Sequence, residues 1–181
     1  MRKPRDTAGE ILPVPPLIKE GTQKPPFVKG AARSARGFGN VVAEPLFHEI
    51  DHTADLGIEV EADTPGELFR CAGLVLFSLM VSPEGVEARE EREETVQAEG
   101  WEDLLHDWLS RLLRRFLQEG FIATTITVDD IDSTQVHAWL RGEKLDYERH
   151  NFETEIKAVT YHQLSVTCEN GRWRARIIFD V

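Results

Sequence analysis

The chain has 181 residues, of which 41% are hydrophobic and 29% charged, and its formal net charge is −11. This composition is typical of a soluble globular protein, and no stretch approaches the about 20 apolar residues that span a bilayer. The amino-terminal region has no apolar signal-peptide core, and Cys71 and Cys168 form neither a CxxC pair nor a zinc-type spacing. We therefore expect a cytoplasmic protein without a membrane segment, a disulfide framework or a thiolate metal site.

Two regions of different composition divide the chain. Residues 1–45 contain seven of the nine prolines and eight Lys or Arg against four Asp or Glu, without a hydrophobic period. This pattern predicts a flexible, disordered leader, although its basic charge is also compatible with an interaction arm. Residues 46–181 carry thirteen Lys or Arg against twenty-eight Asp or Glu, a net charge of −15. A domain this acidic should repel phosphate backbones.

The folded region begins with a pattern that predicts two strands and a helix. A short strand at 47–50 is followed by alternating apolar and acidic residues over 58–62, which indicate a strand with one solvated face. Thr64 precedes Pro65 and is placed to cap a helix that ends before Pro83. The helix has its predicted buried side at Leu68, Cys71, Ala72, Val75, Leu76, Leu79 and Met80.

The strongest hydrophobic signal belongs to a second helix, which follows a short acidic strand at 91–98. Acidic residues cluster near its start, and Gly120 is placed to end it. Arg111, Arg114 and Arg115 are interpreted as basic residues at its end that complement the helix dipole. We expect a central core helix, with apolar residues at helical spacing at Trp101, Leu104, Leu105, Trp108, Leu109, Leu112, Leu113, Phe116 and Leu117.

The remainder of the chain has the pattern of β-strands. The predicted strands are 121–128, 135–141, 156–167 and 172–181, with a hairpin turn at 169–171. Two helices among runs of adjacent strands indicate an α+β fold, with the two main helices packed on a mostly antiparallel sheet.

Two carboxylates at opposite ends of the folded region are the candidate functional residues. Asp55 lies between two predicted strands, and Asp180 is the penultimate residue. Antiparallel pairing of the first and last strands would bring both acids, with the terminal carboxylate of Val181, into one oxygen-rich cluster. Such a cluster suits a hard divalent cation, for which calcium is the first candidate and magnesium the fallback. The alternatives are an Asx turn at Asp55 and an exposed, frayed terminus at Asp180.

Three further residues are possible supporting groups. His52 is close to Asp55 in sequence and would favour a transition metal if it took part. Lys157 and His162 are candidate acid or base groups, but strand alternation places them on opposite faces, so the segment 157–162 cannot be one catalytic face. No nucleophile elbow, glycine-rich phosphate loop or Walker pattern is present in the sequence. The sequence therefore predicts no catalytic residue.

Four segments, in this order, resemble the archease family: Asp51-His52-Thr53-Ala54-Asp55-Leu56-Gly57, Gly142-Glu143 with His150, Lys157-Ala158-Val159-Thr160-Tyr161-His162, and Phe179-Asp180-Val181. The resemblance extends over residues 46–181 and has no counterpart for the leader at 1–45. It implies that the metal ligands are Asp55, Asp180 and Val181.

The resemblance also implies a function. Archeases are accessory proteins of the RNA-splicing ligase that joins 3′-phosphate and 5′-hydroxyl RNA ends, and they promote its guanylylation and multiple turnover without forming the RNA bond. The expected partner is therefore a protein ligase, with RNA contacted only through it, in tRNA splicing. The alternatives are a chaperone-like modulator of other nucleic-acid-modifying enzymes and a metal-dependent hydrolase that uses His162 as its base.

Overall fold

The structure is a computed structural model that describes the backbone of residues 33–34, 46–51 and 55–181 and the side chains of residues 56–181. The predicted leader at 1–45 lies outside the described residues, apart from one two-residue strand. The described residues form two helices and eight strands, in the order β1 (Arg33–Ser34), β2 (Leu46–Asp51), β3 (Asp55–Ala62), α1 (Pro65–Met80), β4 (Glu90–Gln97), α2 (Trp101–Glu119), β5 (Phe121–Ile131), β6 (Gln135–Lys144), β7 (Ala158–Glu169) and β8 (Arg172–Asp180).

The strands form two antiparallel sheets. The larger has the order β1-β2-β3-β8-β7, and the smaller has the order β4-β6-β5. Both helices contact both sheets, because α1 packs on β3, β8 and β5 while α2 packs on β7 and on all three strands of the smaller sheet. The α+β class predicted from the sequence is confirmed. The division of the strands between two sheets is not specified by the hydrophobic pattern.

Helix α1 begins and ends as the sequence predicts. The Thr64 hydroxyl accepts a hydrogen bond from the Glu67 N–H at 3.2 Å, and the helix ends at Met80, before Pro83. Its burial differs from the prediction, because Phe69, Gly73, Leu74 and Phe77 are buried as well and Leu79 is only partly buried. A helix with a layer on each side has no solvated face, so α1 is buried all round rather than along one stripe.

Helix α2 is the amphipathic one. Seven of its apolar residues are buried in one stripe, whereas Trp101 is partly buried and Leu117 is 49% exposed, so the predicted stripe is wrong at its last residue. Gly120 follows the helix in the left-handed conformation with φ of 66°, as predicted. The predicted position of the arginines is wrong, since α2, described in full, has no basic residue in its last turn. The dipole effect falls off within one turn, so it does not explain Arg111, Arg114 and Arg115.

The core is one hydrophobic cluster built from α1, the stripe of α2 and the inner faces of both sheets. In β8, Ala175, Ile177 and Phe179 belong to this cluster, and Asp180 lies at an exposed position, as strand alternation predicts. Ile178 is also fully buried although it belongs to the other face. In the described part of the chain, neither helix is long and apolar enough to cross a membrane.

Candidate functional site

The two acidic positions meet at one end of the larger sheet. Strand β8 lies between β3 and β7, and Asp180 is the register partner of Asp55 on one side and of Ala158 on the other. Directly opposite residues of an antiparallel pair share one face, with Cβ atoms about 4.5 to 5.5 Å apart. The backbone therefore makes Asp55 and Asp180 neighbours, although the side chain of Asp55 is outside the described side chains.

Lys157 holds the end of the chain next to this pair. Its backbone N–H donates to the Asp180 carbonyl oxygen at 2.8 Å, and its ammonium group donates to the main-chain oxygen of Val181 at 3.0 Å. Asp180 and Val181 are both exposed to solvent. Lys157 thus contacts both of the last two residues, through its backbone N–H to Asp180 and through its side chain to Val181.

The oxygen atoms at this end of the sheet fit a hard cation. Carboxylates and main-chain oxygens are the ligands that calcium and magnesium prefer, and Asp180 and Val181 offer both kinds in an exposed position. The Lys157 ammonium already lies on the Val181 oxygen, which shows that this oxygen accepts a positive group. The ligand roles of Asp55, Asp180 and Val181 and the identity of the ion remain predictions.

The other supporting residues are distributed unequally. Lys157 belongs to this end of the sheet, and His52 lies outside the described residues. His162 lies in the irregular part of β7 between Thr160 and Ser165, where its ring accepts from the Gln163 amide at 3.0 Å. Regular pairing of β7 with β8 runs from Ala158, the partner of Asp180, to Thr160, and His162 lies beyond that point. Among side chains 56–181, no group of three or more His, Cys, Asp or Glu is arranged to hold a metal ion.

His106 is a residue near the site that sequence reasoning did not single out. Its ring lies 3.3 Å from the Val159 carbonyl oxygen and stacks on the Tyr161 ring at a centroid distance of 3.9 Å. Burial, followed by the charges of Asp103 and Asp107, raises the pKa of Tyr161. His106 therefore binds the Val159 carbonyl oxygen on the free edge of β7, next to Ala158, the register partner of Asp180. No local pattern could reveal this contact, because its partners are far apart in sequence.

Glu143 and His150 belong to a different part of the molecule. The buried Glu143 carboxylate accepts from the Glu87 N–H at 2.7 Å and from the Arg149 guanidinium at 2.7 Å. His150, also buried, accepts from the Asp146 N–H at 3.0 Å and has its Nε2 atom 3.3 Å from Glu143. This network joins the loops after α1 and after β6. It stabilises the smaller sheet and contributes no group to the Asp55 and Asp180 positions.

Comparisons with known proteins identify the family. The sequence model of the archease protein family matches residues 47–181. The chain is 40% identical over 140 residues to the protein archease of Methanopyrus kandleri, a match that covers 75% of this chain and 99% of that protein. It is 36% identical over 136 residues to the protein archease of Pyrococcus abyssi, covering 72% of this chain and 95% of that protein.

Solved structures show the same fold. The solution structure of a Methanobacterium thermoautotrophicum protein matches with a TM-score of 0.62 and 32% identity, over 75% of this chain and 98% of that chain. A crystal structure from Thermotoga maritima, described as an archease and possible chaperone, matches with a TM-score of 0.52 and 23% identity, over 79% of this chain and all of that one. The second likeness concerns the fold alone. From the family match and the identity to its members, this chain belongs to the archease family.

Proposed function

We propose that this protein is an accessory protein that activates an RNA-splicing ligase by promoting its guanylylation and multiple turnover. The observation that carries the proposal is the register of β3 and β8, which makes the Asp55 and Asp180 positions direct partners. Membership of the archease family supports the accessory role. The protein itself forms no RNA bond and is not an enzyme in this proposal.

Asp55, Asp180 and the Val181 oxygen would hold a divalent cation, calcium first and magnesium as the fallback. When bound, the ion would neutralise the facing carboxylates and offer a Lewis-acidic position at an exposed end of the sheet. The chain's own residues do the positioning. The Lys157 N–H holds the carbonyl oxygen of Asp180 in place, while the ammonium group of Lys157 contacts the Val181 oxygen that the ion would take over.

Charge favours a protein partner over direct contact with RNA. Residues 46–181 carry a net charge of −15, which opposes a phosphate backbone but complements the basic surroundings of a ligase active site. In this proposal the acidic end of the larger sheet docks at the ligase, and RNA is reached only through that enzyme. Such docking should weaken as salt concentration rises, because charge steering is screened.

The test is a guanylylation assay of the organism's own ligase, with and without this protein and with and without a chelator. We expect faster guanylylation and multiple turnover with the protein, and loss of the effect on chelation or with Asp180→Asn. Glu153→Gln is the matched control, since Glu153 is exposed and only its backbone makes a described contact. Ligase turnover unchanged by Asp180→Asn would rule out the metal-centred mechanism.

The two alternative functions predict different results. A metal-dependent hydrolase would turn over a small substrate without a ligase, and the position of His162 in the irregular part of β7 argues against its use as the base. A chaperone-like modulator of other nucleic-acid-modifying enzymes would bring down several such enzymes in a pull-down. That alternative would be favoured if this protein left ligase activity unchanged and a pull-down captured other nucleic-acid-modifying enzymes.

A further inference from the structure

A polar cavity of about 500 Å³ lies between helix α2 and strand β4, on a part of the domain that the proposed function does not use. Strand β4 is at an edge of the smaller sheet, so its free side presents backbone N–H groups toward the surroundings. The cavity is lined by Thr95, Val96, Gln97, Asp107, Ser110, Arg111 and Arg114.

Two of the three arginines of α2 have little or no carboxylate partner. Arg115 binds the buried Glu94 carboxylate, and it also donates to Glu119 at 2.6 Å. Arg111 only approaches Glu94, at 4.0 Å. Within the part of the chain whose side chains are described, Arg114 makes no ion pair or hydrogen bond. The Arg114 guanidinium therefore has no structural partner among the described side chains, and Arg111 has only its long contact with Glu94.

Arginines without a close acid partner are unusual in so acidic a domain. A second cavity, of about 300 Å³, also contains two arginines, Arg172 and Arg174. There, Arg174 binds Glu61 at 2.6 Å, and Arg172 lies 3.7 Å from the same carboxylate. The comparison shows that elsewhere the chain neutralises paired arginines with an acid. At the α2 cavity, Arg111 is 4.0 Å from Glu94, and Arg114 has no acid partner among the described side chains.

The geometry points to a binding site for the phosphate group of a small phosphate ester, held by Arg111 and Arg114. A phosphate monoester presents three strong acceptor oxygens, which match two guanidinium groups, the Ser110 hydroxyl and an edge N–H of β4. Asp107 lies two turns before Arg114, about 10 Å along the helix axis. Its carboxylate opposes a second phosphate and can accept from a hydroxyl, so a monophosphate of a sugar fits the cavity better than a polyanion.

The test is a titration of the full chain with ribose 5-phosphate, followed by two-dimensional ¹H–¹⁵N NMR. We expect saturable shifts at the amides of 95–97 and 110–114, with a Kd of about 1 mM or tighter. Arg111→Gln and Arg114→Gln should each weaken binding about tenfold, because each removes a charge-assisted hydrogen bond. Arg174→Gln is the matched control and should leave the affinity unchanged.

Further arms identify the source of the phosphate. Inorganic phosphate tests the anion alone, ribose tests the sugar alone, and a short single-stranded RNA with or without a 5′-phosphate tests a strand end. Binding of ribose 5-phosphate supports a small ester, and binding only of the 5′-phosphorylated RNA supports a strand end as the source of the same group. The assignment would be overturned if no phosphate compound gave saturable shifts or if ribose bound as tightly as ribose 5-phosphate. It would also be overturned if Arg174→Gln lost as much affinity as the Arg111 and Arg114 variants.

Discussion

Asp55 and Asp180 are direct register partners in the pairing of β3 with β8, two strands that are separated in sequence by both helices and the whole smaller sheet. Like charges directly opposite one another in a sheet are destabilising. Two carboxylates at these positions would repel each other in the free protein, as expected of groups proposed to bind a cation. The ammonium of Lys157, at 3.0 Å from the Val181 oxygen, is the positive group already present there.

The first prediction concerns Asp180→Asn. In a chelator, the variant should unfold at the same temperature as the native protein or be more stable by about 0.2 to 1 kcal/mol, because facing like charges are removed. Calcium should raise the Tm of the native protein, since an ion that binds only the folded state stabilises it, and this rise should be lost in the variant. Calorimetry with and without calcium measures both effects. An equal calcium-dependent rise in the variant would contradict the ligand role of Asp180, and Glu153→Gln should behave as the native protein.

The second prediction concerns Lys157→Met. Removal of the ammonium takes away a positive charge beside the proposed ion, and at a few ångströms in high dielectric that repulsion is worth about 1 kcal/mol. Calcium should therefore bind several-fold more tightly to the variant, as measured by isothermal titration calorimetry. Weaker calcium binding would mean that positioning of the Val181 oxygen by Lys157 outweighs the repulsion. Lys144→Met, a change at the end of β6, is the control.

The third prediction compares two glycines that are close to other atoms. A Cβ at Gly142 would lie 1.8 Å from the Ile122 carbonyl oxygen, which is backbone and cannot move away. A Cβ at Gly73 would lie 2.7 Å from Ile126 Cδ1 and 2.8 Å from Leu112 Cδ1, which end flexible side chains. Gly142→Ala should destabilise by about 3 kcal/mol or more and Gly73→Ala by less, since alanine also favours the helix by about 1 kcal/mol. Urea unfolding of both variants checks the order, and equal losses would contradict it.

The fourth prediction concerns how the free energy of unfolding changes at acid pH. Burial would raise the pKa of Glu143, but hydrogen bonds from Arg149 and from the Glu87 N–H, with the charges of Arg149 and Arg89, lower it overall. A lowered pKa in the folded state contributes stability that is present above the ordinary value of about 4.3 and is lost as pH falls through the folded value. The free energy of unfolding should therefore decrease as pH falls below that range.

Glu143→Gln is the variant that tests this assignment. Its free energy of unfolding at pH 6 should be about 1 to 3 kcal/mol lower than that of the native protein, because the side chain at position 143 no longer carries the charge that pairs with Arg149. It should also show a flatter decrease of stability in acid than the native protein. Glu84→Gln, at an exposed position in the same region, is the control. Parallel acid limbs for Glu143→Gln and the native protein would contradict the role of Glu143.

The sequence predicted much of the fold and located the acidic positions. Strand and helix boundaries agree with the structure to within a few residues, because capping at Thr64, the Gly120 terminator and alternation in β8 depend on residues that are close in sequence. The positions of the arginines relative to the end of α2 and the burial of α1 were predicted incorrectly. The burial of α1 was missed because a one-dimensional pattern does not show how many layers pack on a helix. The arginine error is one of counting, since Arg111, Arg114 and Arg115 all lie before the last turn of a helix that ends at Glu119.

The sequence by itself thus determined which segments are helices and strands, which face of most elements is apolar, and where the two candidate carboxylates occur. Only the tertiary structure decided that β8 inserts between β3 and β7, so that Asp180 has Asp55 on one side and Ala158 on the other. It also decided that Arg111 and Arg114 line a cavity while Arg115 binds Glu94. The physical reason is that strand order and the partners of long side chains depend on how both helices pack between two sheets, which involves contacts between residues far apart in the chain.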